Sequence, residues 1–158
     1  MPGATRLGPR AGLGVRVLIA EDSAVGRRMV QRAVHELGHE CVVAEDGLRA
    51  WEAFQRGGAD VVISDWMMPG IEGDELCRRV RASESEYVFF IMLTSLDDPE
   101  HVIRGLESGA DDYLAKPLDP DALEARLVVA SRVTSLRRRL AELEREVERL
   151  KRELETSR

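Results

Sequence analysis

Five short apolar runs rich in Val, Ile and Phe recur along the chain, at Val15 to Ala20, Glu40 to Ala44, Asp60 to Ser64, Tyr87 to Leu93 and Tyr113 to Ala115. Each is too short for a helix. The segments between them, Ala24 to Leu37, Gly47 to Arg56, Gly73 to Arg81 and Pro99 to Ser108, place their apolar residues at helical spacing. The resulting order, βαβαβαβαβα, specifies an α/β fold with a parallel sheet and helices on both faces, because each parallel neighbour requires a crossover and a helix supplies it. Local punctuation agrees. Gly38 stands where a glycine closes the first helix, Asp46 and Asp98 stand where N-caps are wanted, and Pro99 suits a first helical position. A chain of 158 residues accommodates one such domain with an appendage, and not two full domains.

The appendage is the last helix, which starts near Asp119 or Pro120 and meets no breaker. From Val129 its apolar residues fall at Val133, Leu136, Leu140, Leu143, Val147, Leu150 and Leu154, in alternating steps of four and three. This is a heptad seam. With Val133, Leu140, Val147 and Leu154 at a, and Val129, Leu136, Leu143 and Leu150 at d, half of the a positions are β-branched and d is mostly Leu, a pattern that favours parallel two-stranded coils. In register, Arg139 faces Glu144 of a second copy and Glu146 faces Lys151, whereas Arg132 faces Arg137 unfavourably. The expectation is a homodimer, with a flexible arm over 1–14, a globular domain over 15–130 and a coil over 131–158. A single solvated helix packed on its own domain needs no narrow apolar stripe sustained over several heptads.

Charge is unevenly distributed. The tail from Ser131 holds nine Lys/Arg against six Asp/Glu, and the first 14 residues hold two Arg, so Val15 to Ala130 carries 12 Lys/Arg against 23 Asp/Glu. An acidic body disfavours nonspecific contact with nucleic acid or anionic lipid, and part of the excess suits a cation site. The triplet Arg137-Arg138-Arg139 reads as a solvated coil face and not as the basic region of a zipper, since the seam already runs through it. No apolar run of membrane-spanning length and no secretory leader is present, which suggests a soluble cytoplasmic protein. Cys41 and Cys77 have neither metal-knuckle nor redox-pair spacing and read as buried thiols. His35 and His39 are four apart, but Gly38 ends the helix between them, so they read as surface histidines.

In open parallel sheets ligands sit beyond the carboxyl ends of the strands. Those ends form a set here: Glu21-Asp22 after the first run, Asp65 after the third, Thr94-Ser95 after the fourth and Lys116-Pro117 after the fifth. Three carboxylates in one cleft stay ionised together when a cation neutralises them, and oxygen donors without His or Cys suit Mg²⁺.

These blocks, Glu21-Asp22, Asp65-Trp66-Met67-Met68-Pro69-Gly70, Thr94-Ser95 and Tyr113-Leu114-Ala115-Lys116-Pro117, resemble those of response-regulator receiver domains of bacterial two-component signalling, over about Val15 to Ala130. The resemblance implies a flavodoxin-like, doubly wound sheet of order 2-1-3-4-5 with five helices. It implies that Asp65 accepts a phosphoryl group from a histidine kinase or phosphotransfer protein. It further implies a Mg²⁺ (or Mn²⁺) pocket of Glu21, Asp22, Asp65 and the Met67 backbone carbonyl, phosphoryl contacts from Lys116 and Thr94, a cis bond before Pro117, and a switch pairing Thr94 with Tyr113. Such a protein is no turnover enzyme and catalyses only its own phosphorylation and dephosphorylation. Met67 and Leu96 depart from the polar residues of many receivers, and apolar side chains bordering the path of the hydrolytic water imply a long-lived phosphorylated state. Haloacid-dehalogenase phosphatases share the aspartate nucleophile, but their second Asp, the general acid, is replaced by Met67. The output is expected to be an effector absent from this chain, such as a diguanylate cyclase or histidine kinase joined through the coil; a stand-alone adaptor acting through protein contacts is the alternative.

Overall fold

The computed structural model describes residues 14–83, 86–95 and 99–158. The arm over 1–13, the Asp98 cap and Leu96 lie outside the described residues. Five strands alternate with five helices: β1 Arg16–Ala20, α1 Ala24–Glu36, β2 Glu40–Ala44, α2 Gly47–Gly57, β3 Val61–Asp65, α3 Gly73–Ala82, β4 Phe89–Thr94, α4 Pro99–Ser108, β5 Asp112–Ala115 and α5 Pro120–Thr156. Every strand pairing is parallel, in the order β2-β1-β3-β4-β5.

Side chains alternate across the pleat, so each central strand feeds two cores. Leu18, Val62, Phe90 and Met92 point to one face and pack with Ala50 and Phe54 of α2 and Leu76, Cys77 and Val80 of α3. Val17, Ile19, Val61, Ile63, Ile91 and Leu93 point to the other and meet Val30 and Val34 of α1 and Leu123, Leu127 and Ala130 of α5. Burial on both faces explains why these runs are continuously apolar. Each fully buried Val, Leu or Ile contributes about 1.5–3 kcal/mol relative to exposure.

The helix ends follow local chemistry. Asp46 accepts from Arg49 N at 2.7 Å, and Asp119 accepts from Asp121 N at 3.0 Å with Pro120 in the first turn. Gly38 takes φ 79° just past α1, a left-handed conformation that glycine adopts without strain. Among the described residues no helix is long and apolar enough to cross a membrane.

Four expectations need correction. Cys77 is buried but Cys41 is only half-buried, because β2 is an edge strand. His39 is no free surface histidine: its Nδ1 accepts from Val15 N at 3.2 Å, and burial lowers its pKa. Packing of α5 on the body continues past Ala130, through Thr134 at 1 % exposure. The arginine triplet divides, with Arg138 paired to the buried Asp60, Arg137 over the Tyr87 ring, and Arg139 bonded to Glu142 on the exposed helix.

Candidate functional site

The chain runs from β1 outward to β2 and then back to β3 on the other side, so a crevice opens at the carboxyl ends of β1 and β3. Glu21 and Asp22 follow β1 directly, and Asp65 is the last residue of β3. One carboxylate oxygen from each lies within 4.8 Å of the others. Glu21 is fully buried, Asp65 is 7 % exposed and Asp22 faces solvent.

Lys116 reaches in from the end of β5. Its Nζ donates to Glu21 Oε2 at 2.9 Å and to Asp65 Oδ2 at 2.8 Å. The peptide bond between Lys116 and Pro117 is cis, as expected. Burial raises the Glu21 pKa; the Lys116 hydrogen bond opposes this, and the Asp65 charge adds to it. Burial acts on Lys116 in the opposite sense, but its hydrogen bonds to Asp65 and Glu21 and their charges outweigh it and raise the ammonium pKa. Three carboxyl groups and one ammonium thus share the site.

Backbone contacts fix these groups. Trp66 N donates to Leu93 O at 2.9 Å and Lys116 N to Thr94 O at 2.7 Å, which ties the ends of β3, β4 and β5 together. Thr94, 6 % exposed, closes β4. The Met67 side chain is 53 % exposed. Tyr113 sits back along β5, opposite Met92, with its ring against the core that contains Trp66 and Cys77. Its hydroxyl is buried and has no hydrogen-bond partner, and burial, followed by the Cys77 charge, pushes its pKa up to about 12.

The structure thus brings Glu21, Asp22, Asp65 and Lys116 into one cluster, sets Thr94 at the neighbouring strand end and holds Tyr113 inward. Several supporting residues carry no short sequence signal. Arg27 of α1 donates to the carbonyls of Glu21 and Asp22, both at 2.9 Å, and shapes the loop that carries them. Gly26 leaves room for Glu21, since a Cβ there would stand 3.0 Å from its Cδ. Gly73 lets α3 approach so closely that a Cβ would lie 2.4 Å from Asp65 O.

Comparison with known proteins agrees with this architecture. The chain is 39 % identical over 123 residues to the phosphate regulon transcriptional regulatory protein PhoB of Pseudomonas aeruginosa, covering 77 % of this chain and 54 % of that protein. It is 41 % identical over 119 residues to the transcriptional regulatory protein TcrA of Mycobacterium tuberculosis, covering 75 % of this chain and 47 % of that one. The chain spans about half the length of these curated relatives. Among solved structures, the chemotaxis response regulator CheY4 of Vibrio cholerae superposes with a TM-score of 0.70 at 33 % identity, covering 74 % of this chain and 98 % of that one. The receiver domain of the Francisella response regulator 1452 gives 0.71 at 34 % identity, covering 77 % and 99 %. The family profile of the response regulator receiver domain matches residues 17–128, and with the sheet order and the crevice at the β1 and β3 ends, the chain belongs to that family.

Proposed function

We propose that this receiver accepts a phosphoryl group on Asp65 from the phosphohistidine of a histidine kinase or phosphotransfer protein. One Asp65 carboxylate oxygen forms the new bond to phosphorus, the nitrogen–phosphorus bond breaks, and the imidazole leaves. An ionised carboxylate needs no general base. The observation that carries this reading is the convergence of three carboxylates and one ammonium at the sheet crevice.

The donor set fits a hard divalent ion, being made of carboxylate oxygens that Lys116 leaves incompletely neutralised. Glu21, Asp22, Asp65 and the Met67 carbonyl would hold Mg²⁺ or Mn²⁺, which when bound supplies charge neutralisation to the carboxylates and the incoming phosphoryl oxygens. Lys116, already on Asp65, is placed to follow the added oxygens, and the Thr94 hydroxyl donates to another. Phosphoryl transfer rests mainly on such alignment and charge compensation. As Thr94 turns toward the phosphoryl group, Tyr113 repacks, and the change reaches α5.

In this reading the receiver, whose contacts with α5 reach Arg138, signals through a parallel homodimeric coil along the rest of α5 to an effector outside these residues. It acts in the cytoplasm, with no direct contact to nucleic acid or membrane. PhoB and TcrA are named as transcriptional regulators and are longer, the matched region making up about half of each, which supports an output joined to the receiver rather than an output made by the receiver itself.

The test is incubation with acetyl phosphate and Mg²⁺, read by intact mass. The wild type gains one phosphoryl group, whereas Asp65→Asn and a chelator-treated sample gain none. Equal incorporation into Asp65→Asn would overturn the assignment.

A further inference from the structure

At the end of the sheet opposite the crevice, α5 leaves the body across a buried acid. Asp60, which immediately precedes β3, is 1 % exposed. Its Oδ2 accepts from Arg16 N at 2.7 Å, its carbonyl accepts from Phe89 N at 3.0 Å, and its Oδ1 accepts from the Arg138 guanidinium. Thr134, one turn earlier on α5, is also buried and directs its hydroxyl to Ala130 O at 2.8 Å and Asp60 O at 3.4 Å. Glu86 lies 3.5 Å from Arg138 Nε. Beside them the Arg137 guanidinium stands 4.8 Å from the centroid of the Tyr87 ring, whose hydroxyl is bonded to Asp111.

These contacts fall on one side of the helix. At 100° per residue, Leu123, Leu127, Ala130, Thr134 and Arg138 centre roughly 150° away from Val129, Leu136, Leu140 and Leu143, so body and seam occupy largely different faces of α5, with the seam residue Val133 at their border and packed against the body. Apolar contacts tolerate sliding and rotation. A guanidinium paired to a buried carboxylate does not, because a turn of the helix withdraws the positive charge and leaves the acid buried with the Arg16 amide but without its ion-pair partner.

We infer that Asp60 with Arg138 and Tyr87 with Arg137 form a seat that fixes the rotational phase of the helix leaving the receiver, with Arg138 as the positioning residue for the stalk. The value of a fixed phase rests on the reading of the tail as a dimeric coil, because the face presented to a second copy is then set by the receiver. The seat also removes the one mismatch of that coil. Arg137, expected to face Arg132 of a second copy, is drawn back over Tyr87 of its own body.

The experiment measures a spin-label distance between Glu52→Cys on α2 and Arg145→Cys on α5, in a Cys41→Ala, Cys77→Ala background, with excess unlabelled chain so that each labelled chain reports only on itself. A narrow distribution is expected with Arg138, and at least a twofold broadening with Arg138→Gln, while phosphorylation of Asp65 keeps its rate. A broad distribution with Arg138 present, or no broadening with Arg138→Gln, would overturn the seat. If Arg138→Gln does not fold, Arg138→Lys gives the same comparison with the charge retained. Light scattering separates the two readings: a narrow distance in a monomer keeps the seat and removes the coil, and a broad distance in a dimer does the reverse.

Discussion

Met67 stands two residues after Asp65 with half its side chain in solvent, so changing it costs little packing. A thioether cannot orient an attacking water by accepting a strong hydrogen bond or by taking its proton. The acyl phosphate at Asp65 is therefore expected to survive for minutes or longer in Mg²⁺ buffer, and Met67→Asn to shorten it about tenfold. Loss of label after removal of the phosphodonor measures both, and a half-life of seconds in the wild type would reject the idea. A second residue-scale prediction concerns the chain's two tyrosines. Burial pushes Tyr87 and Tyr113 up to about 12, helped at Tyr87 by its bond to the Asp111 carboxylate and at Tyr113 by the Cys77 charge. Because the unfolded chain loses these protons near pH 10 and the folded chain does not, their contribution is intact below about pH 10 and is lost as pH rises toward 12. Denaturant midpoints should fall between about pH 9 and pH 11, and the ultraviolet tyrosinate band should appear later in the native protein than in the unfolded one.

At the scale of elements, the site depends on how tightly α3 is pressed against the end of β3. A Cβ at Gly73 would meet Asp65 O at 2.4 Å and Met92 Sδ at 2.7 Å, and the first of these is backbone that can yield only by moving Asp65. Gly73→Ala should destabilise the domain by about 1–3 kcal/mol and slow phosphorylation, whereas an alanine at Gly38, which has open space but φ 79°, should affect stability alone. Urea unfolding beside phosphorylation rates checks the difference. This close approach also marks where sequence reading ends. Strand and helix positions and the crevice were legible because apolar period, caps and strand-end residues are local signals, and Glu40–Ala44 and Pro99–Ser108 fell on their expected bounds; the sheet order came from the family resemblance instead. The place of Gly73 beneath Asp65, the grip of Arg27 on the acidic loop and the pairing of Arg138 with Asp60, 78 positions away, depend on tertiary contacts that leave no periodic trace. Arg138 was further disguised by its neighbours, since a run of three arginines resembles a solvated face until the body is seen against it.

For the molecule as a whole, α5 extends well beyond its support. Thr134 is buried and, among the described residues, Arg138 is the last of α5 paired to the body, yet the helix runs on to Thr156. Along that extension Leu140, Leu143, Val147, Leu150 and Leu154 are 45–68 % exposed, an apolar stripe that a solitary helix in water has no reason to maintain. Pairing with a second copy would bury it, and each Leu so covered contributes about 1.5–3 kcal/mol. Leu143→Lys with Leu150→Lys removes four such side chains from a dimer, roughly 6 kcal/mol or more, enough to dissociate a micromolar complex. Under conditions where light scattering shows the wild type as a dimer, the double variant should be a monomer. Helicity beyond Arg138 should fall with it, because a short isolated segment without tertiary support is marginal. Phosphorylation at Asp65 should be unchanged, since the extension makes no contact with the crevice residues described above. Adding beryllofluoride and Mg²⁺ then separates two modes of output. A wild type that dimerises only with the phosphoryl mimic, and does not in Asp65→Asn, has a coil too weak to hold without receiver contacts. A constitutive dimer instead transmits a change of receiver packing or coil phase, and a double variant that stays dimeric would place the assembly elsewhere than on this stripe.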